Sequence, residues 1–406
     1  MKKKICIITS ILICTIVLIT IGIKSGIRAY EKAKEEEKIK NAVIEIKLAE
    51  DLTAKFASKK KVSDYITSIN GKIIDDHLID TTELGTKKVQ FDFINEDDIK
   101  IPYSYEIEVR DTTPPLVWLF GDYYVTTAFT GTLESKILCA DDYDDEPVCK
   151  VEGEYDTKKV GTYNLNFKAY DSSGNVTDIP FNLHVSKPSQ GGSTYTPNPD
   201  KFSEFVAKYE DEHTSLGIDV SSWQGDIDFQ KVKNAGVKFA FVRVGSKWGA
   251  DGDYFLDSKF ERNMKGFMEV GIPIGAYFYS YARNEQEAKE EAEWLIEKLE
   301  DYKVDLPIAF DFEDWSRYND YKMSLYRLNR NAEVFIETLE KAGYKGMLYS
   351  SINYLNRVWD TDGKIVWGAH YTTKADYRGK FDYWQISSEG IVDGIQGYVD
   401  LDIMYK

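Results

Sequence analysis

Histidine is scarce in this sequence of 406 residues, which has four histidines and a formal net charge of −17. The histidines do not share the spacing of a metal site, and the sequence has no glycine-rich phosphate loop. Proteins that bind nucleic acid usually present a basic surface, which this composition does not favour. We therefore expect no metal, no cofactor and no nucleic-acid partner.

Long uncharged runs are also missing, with one exception at the N terminus. Three lysines precede an uncharged run over Ile5–Ile23, which is long enough to cross a bilayer as a helix. Residues 24–29 contain no A-x-A cleavage pattern, so we predict an uncleaved signal anchor. Residues 1–28 are accordingly predicted as a cytoplasmic tail and a transmembrane helix, which would place the rest of the chain outside the cell.

One set of residues occurs twice after a short charged stalk at residues 29–41. Each member recurs at the same offset, which indicates two tandem modules, 42–110 and 111–186. Alternating apolar and polar residues in both modules predict strands. The modules resemble the immunoglobulin-like modules of bacterial surface proteins, so we predict two small all-β sandwiches that act as a spacer. The repeated residues are Asp80, Thr81, Gly85, Phe91 and Val109, followed by Asp156, Thr157, Gly161, Phe167 and Val185.

The second module contains two cysteines, Cys139 and Cys149, on either side of an acidic run at residues 141–146. A location outside the membrane would permit a disulfide between them. The acidic run has two interpretations: its carboxylates bind calcium, or it forms a solvated turn. We favour the turn.

Residues 187–213 are predicted as a linker, because the first part of this segment contains three prolines and two glycines without apolar periodicity. From residue 214 to residue 406, short apolar strands alternate with amphipathic helices. This alternation predicts an α/β domain with a β/α barrel, whose chemistry lies at the carboxyl ends of the strands. The predicted strands are Gly217–Val220, Phe239–Val244, Ile272–Tyr281, Leu306–Phe312, Gly346–Ser350, Ile365–His370, Tyr383–Ile386 and Tyr398–Met404, with helices at 228–235 and 284–302.

Acidic residues stand at these strand ends. Asp311 and Glu313 follow an apolar strand, point the same way and lie about 7 Å apart at the backbone, so one carboxylate can raise the pKa of the other. Asp219 ends the first strand, and Asp400 and Asp402 lie in the last. A barrel closes its first strand against its last, so we expect these acids to converge. The alternative for Asp219 is that it caps the turn that follows.

Four motifs in this half of the chain resemble those of glycoside hydrolase family 25, the Chalaropsis-type lysozymes. In order along the chain, they are Asp219–Gly225, Asp311–Glu313, Tyr383–Gln385 and Val399–Asp400. The resemblance implies an irregular, TIM-like β/α barrel. It also implies cleavage of the β-1,4 bond from N-acetylmuramic acid to N-acetylglucosamine in peptidoglycan.

The same resemblance implies roles for the acids. Glu313 matches the family's general acid, and Asp311 matches the carboxylate that orients and stabilises the reacting sugar. Asp219 and Asp400 match the site acids of the first and last strands. The chain departs from the family in two places. The family usually has asparagine where Asp402 stands, so the fourth acid is either Asp400 or Asp402, and the third strand lacks a histidine found in many members.

Aromatic and amide side chains near the strand ends are candidates for a sugar cleft, because a flat ring stacks on a sugar face. Since the sequence contains 28 tyrosines, the alternative is a tyrosine-rich core, and we expect about half of the candidate aromatics to line the cleft. Trp248 either flanks the cleft or fills a loop. The candidates are Trp223, Tyr277, Tyr279, Tyr349, Trp367, Tyr371, Trp384, Gln385 and Asp402.

We therefore predict a cell-surface N-acetylmuramidase in which Glu313 protonates the leaving oxygen and Asp311 stabilises or orients the reacting sugar. Its partners would be peptidoglycan strands and, through the anchor, the membrane. Two alternatives stay open: a non-catalytic wall-binding or adhesion protein on the same barrel, and an enzyme for another N-acetylhexosamine polymer such as chitin. Retention and inversion of the sugar's configuration are both compatible with the residues.

Overall fold

The computed structural model describes residues 27–28, 30–188 and 198–406. The predicted transmembrane helix lies outside these residues. Within them, no helix combines the length and the apolar character that a membrane span requires. The chain divides into two compact units, Met1–Thr112 and Thr113–Lys406.

The first unit contains a charged helix, α1, at residues 30–41, within the segment that we predicted as a stalk. A four-stranded sheet follows in the order β2-β6-β5-β4, and β1 pairs with β3 in a second, two-stranded sheet. Inward-facing Phe91, Phe93 and Tyr105 form part of its core. The strands are β1 (Ile46–Leu48), β2 (Thr53–Lys55), β3 (Ile66–Ile69), β4 (Gly71–Ile73), β5 (Gly85–Asn95) and β6 (Lys100–Arg110), with a 3-10 helix at Val62–Tyr65.

The second unit begins with another β module. Its four-stranded sheet has the order β10-β11-β12-β8, and β7 pairs with β9. The elements are β7 (Leu116–Val117), β8 (Asp122–Thr126), α2 (Leu133–Lys136), β9 (Cys139–Ala140), β10 (Val148–Glu152), β11 (Gly161–Tyr170) and β12 (Val176–Ser186). Cys139 and Cys149 are joined by a disulfide, with their Cα atoms 6.6 Å apart.

The sequence repeat corresponds to one long hairpin in each module. Gly85 pairs with Val109 across β5 and β6, and Gly161 pairs with Val185 across β11 and β12. The repeated residues therefore hold equivalent places in two antiparallel hairpins. Both modules are built from β-sheet, and their immunoglobulin-like character stays a prediction.

A mixed barrel occupies the rest of the second unit. The ring runs β14-β15-β17-β18-β19-β20-β21-β22, and β22 closes it by pairing antiparallel with both β14 and β21. The strands are β13 (Asp200–Lys201), β14 (Thr214–Val220), β15 (Phe239–Lys247), β16 (Tyr254–Leu256), β17 (Ile274–Tyr279), β18 (Ile308–Asp311), β19 (Gly346–Ser351), β20 (Val366–Ala369), β21 (Tyr383–Ile391) and β22 (Val399–Tyr405). This closure confirms the predicted α/β fold and brings the first strand beside the last.

Helices pack around this ring. They are α3 (Phe202–Tyr209), α4 (Phe229–Ala235), α5 (Phe260–Val270), α6 (Glu285–Leu299), α7 (Leu325–Lys341) and α8 (Ile352–Leu355), with 3-10 helices at Ser222–Gln224 and Trp315–Tyr321. Residues 200–209, placed by the sequence prediction within the linker, instead form β13 and α3. Phe202 and Phe205 of α3 are buried in the barrel's outer core, which explains why this segment is ordered.

Side chains of the strands alternate between two apolar layers. Phe239, Phe241 and Trp367 belong to the layer inside the ring. Phe310 and Phe312 belong to the layer between the ring and the helices. Asp311, between these two phenylalanines, therefore points into the barrel.

The second β module packs on the barrel within the same unit. Trp118 stacks on Tyr354 with ring centroids 4.4 Å apart. The Asp145 carboxylate accepts a hydrogen bond from the Ser324 amide at 3.0 Å and pairs with Arg327 at 3.0 Å, both at the start of α7. The acidic run thus contacts a barrel helix, which differs from the solvated turn that we favoured.

Candidate active site

Carboxyl groups from two sides of the ring meet at the mouth of the barrel. Asp219 lies one residue before the end of β14 and pairs in register with Asp400 of β22, as strand closure predicts. Asp402 lies two residues further along β22, opposite Gly217 and deeper in the ring. Asp219 and Asp402 are buried, whereas Asp400 is half-buried. Of the two candidates for the fourth acid, Asp400 is thus the more accessible.

Hydrogen bonds fix the two buried acids of this group. The Gln385 side-chain amide donates to Asp219 Oδ2 at 2.7 Å. The indole N–H of Trp367 donates to Asp402 Oδ1 at 2.8 Å. Burial, followed by the charges of Asp400 and Asp402, raises the pKa of Asp219 well above its usual value. Burial and the charge of Asp400 do the same to the pKa of Asp402. These acids therefore retain protons where exposed carboxyls would be ionised.

Asp400 differs from its two neighbours in being open to the mouth. Burial raises its pKa to about 6. Its charge in turn raises the pKa of Glu313, so it links the two groups of acids. Among the described barrel residues, these carboxyls do not converge as a cluster suited to a metal ion.

Asp311 and Glu313 form the second group, at the end of β18. Asp311 is 3% exposed, and its Oδ1 has no hydrogen-bond partner among the described residues. Glu313 reaches solvent, although protein atoms surround it. Burial and then the charge of Glu313 raise the pKa of Asp311 well above its usual value. Burial and then the charge of Asp400 raise the pKa of Glu313.

Arg243, which is absent from our predicted site, places a positive charge beside these acids. Its guanidinium donates to Asp257 Oδ2 at 2.8 and 2.6 Å and to the Ser222 hydroxyl at 3.0 Å. Its charge opposes burial and lowers the pKa of Asp311. The sequence does contain a signal for it, because Arg243 interrupts an apolar strand at the alternation that points Phe239 and Phe241 inward.

Several predicted aromatic residues do line the mouth. The hydroxyls of Tyr349 and Tyr371 donate to Gln385 Oε1 at 2.9 and 3.0 Å, and so orient the amide that binds Asp219. Tyr277 and Tyr279 are half-buried on the strand next to Asp311. Tyr371 is 57% exposed, which leaves its ring open to a ligand.

The other predicted tryptophans have different surroundings. Trp367 is 1% exposed, stacks on Phe241 and holds Asp402, so it supports the site from below. Trp384 lies in the layer outside the ring and donates its indole N–H to the His370 carbonyl, so its predicted place in the cleft is wrong. The reason is alternation: Gln385 points inward, so Trp384 points outward. Trp223 follows β14 and is 84% exposed.

A second side chain missing from the prediction is Glu291 of α6, which is completely buried behind the mouth. It accepts hydrogen bonds from the Ser280 hydroxyl and from the Tyr281 amide at 3.2 Å. Burial raises its pKa to about 8. Glu291 therefore holds the loop that follows β17, where Tyr281 contacts Tyr279 with ring centroids 5.1 Å apart.

Comparisons with known proteins identify a family for the barrel. Residues 218–395 match the family model for glycosyl hydrolases family 25. The uncharacterized protein YegX of Escherichia coli O157:H7 is 30% identical over 204 residues, which are 47% of this chain and 70% of that protein. The autolytic lysozyme of Clostridium acetobutylicum is 28% identical, over 46% of this chain and 54% of that protein.

Solved structures of similar proteins include the modular autolysin LytC of Streptococcus pneumoniae in complex with a synthetic peptidoglycan ligand. It is 26% identical with a TM-score of 0.44, and the match covers 59% of this chain and 56% of LytC. A family 25 glycosyl hydrolase from Bacillus anthracis is 26% identical with a TM-score of 0.41, over 49% of this chain and 92% of that one. On the family model and the match to YegX, this chain belongs to glycosyl hydrolases family 25 and is a glycoside hydrolase.

Proposed function

We propose that this protein is a peptidoglycan N-acetylmuramidase with Glu313 as its general acid. The observation that carries the proposal is a difference in exposure between the two acids at the end of β18: Asp311 is buried, whereas Glu313 is open to the mouth. An acid that protonates a glycosidic oxygen has to reach the substrate with its proton still bound. The similarity to an autolytic lysozyme supports peptidoglycan as the polymer.

The reaction begins when a glycan strand covers the mouth and displaces water from Glu313. Loss of water raises the pKa of that carboxyl further, so Glu313 enters the reaction protonated. Its proton goes to the oxygen between the two sugars, the bond from that oxygen to the sugar carbon breaks, and an oxocarbenium-like state develops. The oxygen of a water molecule finally bonds to this carbon, and a proton of that water returns to a site carboxylate, which completes the hydrolysis.

Asp311 assists the attack on the carbon whose bond to the leaving oxygen breaks. Its unpartnered Oδ1 is available to accept the N–H of the sugar's acetamido group, which would aim the acetamido oxygen at the reacting carbon. The alternative is that Asp311 activates a water molecule. In both schemes Asp311 has to be ionised: burial and the charge of Glu313 raise its pKa and oppose that form, whereas the charge of Arg243 acts in the opposite direction.

Asp219, Asp400 and Asp402 complete the site in this proposal. Asp400 is the fourth site acid, because it is half-buried at the mouth and its charge reaches Glu313. Asp402 is fully buried and held by Trp367, so it supports Asp219 from inside the barrel. Asp219 is set by Gln385 to contact the substrate.

We also propose that residues 1–28 anchor the enzyme in the cell membrane with the barrel outside. The uncharged run over Ile5–Ile23 is the observation behind this proposal. Protease added to intact cells should then digest the barrel, whereas a barrel inside the cell would survive until lysis.

The proposed activity is tested by digesting purified peptidoglycan with the full-length protein and with its Glu313→Gln variant. Borohydride reduction and mass spectrometry then identify the new reducing sugar. We expect reduced muramic acid with the wild type and a loss of about 10²–10⁴ in rate with the variant. Reduced glucosamine would identify a different glycosidase. Binding without cleavage by the wild type would instead support the wall-binding alternative.

A further inference from the structure

Trp248 is a large apolar side chain on the surface of the barrel that the mechanism leaves unused. Its indole stacks on Phe255, with ring centroids 4.2 Å apart and an angle of 25° between the planes. The side chain is nevertheless 72% exposed. One face of the indole is therefore covered by Phe255, and the opposite face is open to solvent.

The hairpin that carries Trp248 is closely tied together. The Trp248 amide donates to the Asp253 carbonyl at 3.1 Å, and the Lys247 ammonium donates to the Ala250 carbonyl at 2.8 Å. A side chain at Gly252 would lie 2.2 Å from the Trp248 carbonyl oxygen, so only glycine permits this close turn. The open indole face thus has a defined position.

The hairpin also joins the wall of the active site. Asp251 at its tip pairs with Arg283 at 2.6 Å, and Arg283 lies on the loop after β17 that includes Tyr281. In the sheet, Ser246 pairs with Tyr279, which pairs with Asp311. Ser246 is thus two strands from Asp311, about 10 Å by the usual strand spacing. Trp248 comes two residues after Ser246 at the carboxyl end of its strand, the end at which Glu313 also leaves the ring.

We propose that the Trp248–Phe255 pair is a sugar-binding platform that holds a pyranose ring of the same glycan strand, away from the bond that is cut. This inference rests on the proposed function. A sugar ring presents a flat face of C–H groups, which packs on an aromatic face while its hydroxyl groups stay hydrated. A stiff, half-covered indole beside the mouth offers such a face without a cost for ordering it.

The platform adds binding energy at a distance from the reacting atoms, so it contributes equally to the bound substrate and to the transition state. Its loss should weaken the binding of long glycan strands and leave the rate of the bound complex unchanged. Short oligosaccharides that fill the cleft without reaching Trp248 should be unaffected.

The experiment uses full-length protein carrying Glu313→Gln, so that binding is measured without cleavage, and glycan strands freed of their peptides as the probe. We expect Trp248→Ala in this background to weaken binding by roughly threefold to tenfold. Trp248→Phe should recover much of the loss, because it restores a flat ring. Tyr124→Ala is the matched control, since Tyr124 is 73% exposed and stacks on His184 in the β module.

Equal binding by Trp248→Ala and its parent, with both proteins folded by circular dichroism, would overturn the platform. A loss as large in Tyr124→Ala would overturn it too, because the effect would then belong to any exposed ring. If the wild-type enzyme fails to cleave peptidoglycan while Trp248→Ala still weakens glycan binding, the platform stands and the proposed activity fails. In active enzyme, Trp248→Ala should raise KM on long strands and leave kcat unchanged.

Discussion

Arg243 places a positive charge near the carboxyl groups at the barrel mouth. Asp257 and Ser222 hold its guanidinium in place, and its charge lowers the pKa of Asp311 against the effect of burial. When one carboxyl of a pair is favoured as the anion and the other enters the reaction with its proton, the two can act as different catalysts. Arg243 is therefore a positioning residue for the pair.

Replacing Arg243 with methionine tests this effect on the pH dependence of the reaction. Without the positive charge the pKa of Asp311 rises, so the ionised form that the mechanism needs appears at higher pH. The acid limb of kcat/KM should move to higher pH in Arg243→Met and stay near the wild-type position in Arg243→Lys. The pH profile on peptidoglycan measures this, and an unmoved limb in Arg243→Met would contradict the assignment.

Residue positions along single strands were predictable, and so was the closure of the first strand against the last, whereas side-chain contacts between other segments were not. The Asp311 and Glu313 pair follows from alternation at and just beyond the end of β18, and Asp219 faces Asp400 because the barrel closes first strand to last. Gln385 reaches Asp219 across the ring, and Arg243 binds Asp257 from another segment. Such partners depend on how the whole ring closes, which no local pattern encodes. The error at Trp384 was avoidable, since alternation beside Gln385 already indicates its outward direction.

At the scale of elements, helix α6 carries a polar side chain with a structural role on its apolar stripe. Asn284 caps the helix, as predicted, and accepts a hydrogen bond from the Glu287 amide at 2.9 Å. Glu291 lies on the buried side of the helix with Ala288 and Ala292. A charged residue on such a stripe is a recognisable signal, because burial without partners would be costly. Its hydrogen bonds to the loop at residues 280–281 supply the partners.

The pKa of Glu291 makes stability depend on pH. Burial raises the pKa of Glu291 from a usual value of 4.5 to about 8. Between these two pH values, the folded state therefore keeps a proton that the unfolded state has lost. The contribution of Glu291 to stability is therefore present below about pH 4.5 and is lost as the pH rises through about 8. A pKa difference of one between the folded and unfolded states changes the free energy of unfolding by about 1.4 kcal/mol.

We expect Glu291→Gln to lose less stability than the wild type between pH 5 and pH 8, because glutamine carries no charge. Its Oε1 can accept from the Tyr281 amide, and its Nε2 can donate to the Ser280 hydroxyl oxygen. Denaturant unfolding followed at several pH values measures the difference. Glu293→Gln on the exposed side of α6 is the matched control and should follow the wild type. Parallel stability curves for wild type and Glu291→Gln would show that Glu291 is ionised in the folded protein.

Other elements show where local patterns suffice. Strands of the barrel were predicted to within a few residues, because short apolar runs bounded by turns are distinctive. Helices α5 and α7 are not among the predicted elements, although both have an apolar face, and Ser324 caps α7. The sequence analysis did not separate strand β13 and helix α3 from the proline-rich segment before them. These elements fold because α3 packs on the barrel, and a local pattern does not indicate that contact.

On the scale of the whole molecule, the second β module is part of the barrel's structure. Asn319 of the barrel donates to the Glu134 and Ile137 carbonyls at 3.1 and 2.9 Å and accepts from the Cys139 amide at 3.0 Å. Asp145 binds the first turn of α7, where a carboxylate also favours the helix dipole. These contacts were beyond sequence analysis, because they join residues that are far apart in the chain.

Asp145→Ala should therefore destabilise the barrel even though Asp145 lies in the β module. Losing a carboxylate at a helix N terminus costs about 1 kcal/mol. Thermal unfolding of the full-length protein should show a lower midpoint for Asp145→Ala, and Glu154→Ala, at an exposed position in the same module, should not change it. An unchanged midpoint in Asp145→Ala would mean that the module and α7 are energetically independent.

The bond between Asp145 and the start of α7 also bears on how such a protein can be recombined. A catalytic barrel transplanted by itself would leave the Ser324 amide and Arg327 without their carboxylate, and would uncover the ring of Tyr354. Gene fusions that cut between the module and the barrel would thus create an enzyme with a newly exposed aromatic surface on one flank. The second β module and the barrel are therefore one transferable unit, and a chimera built from this enzyme should have its junction before residue 113.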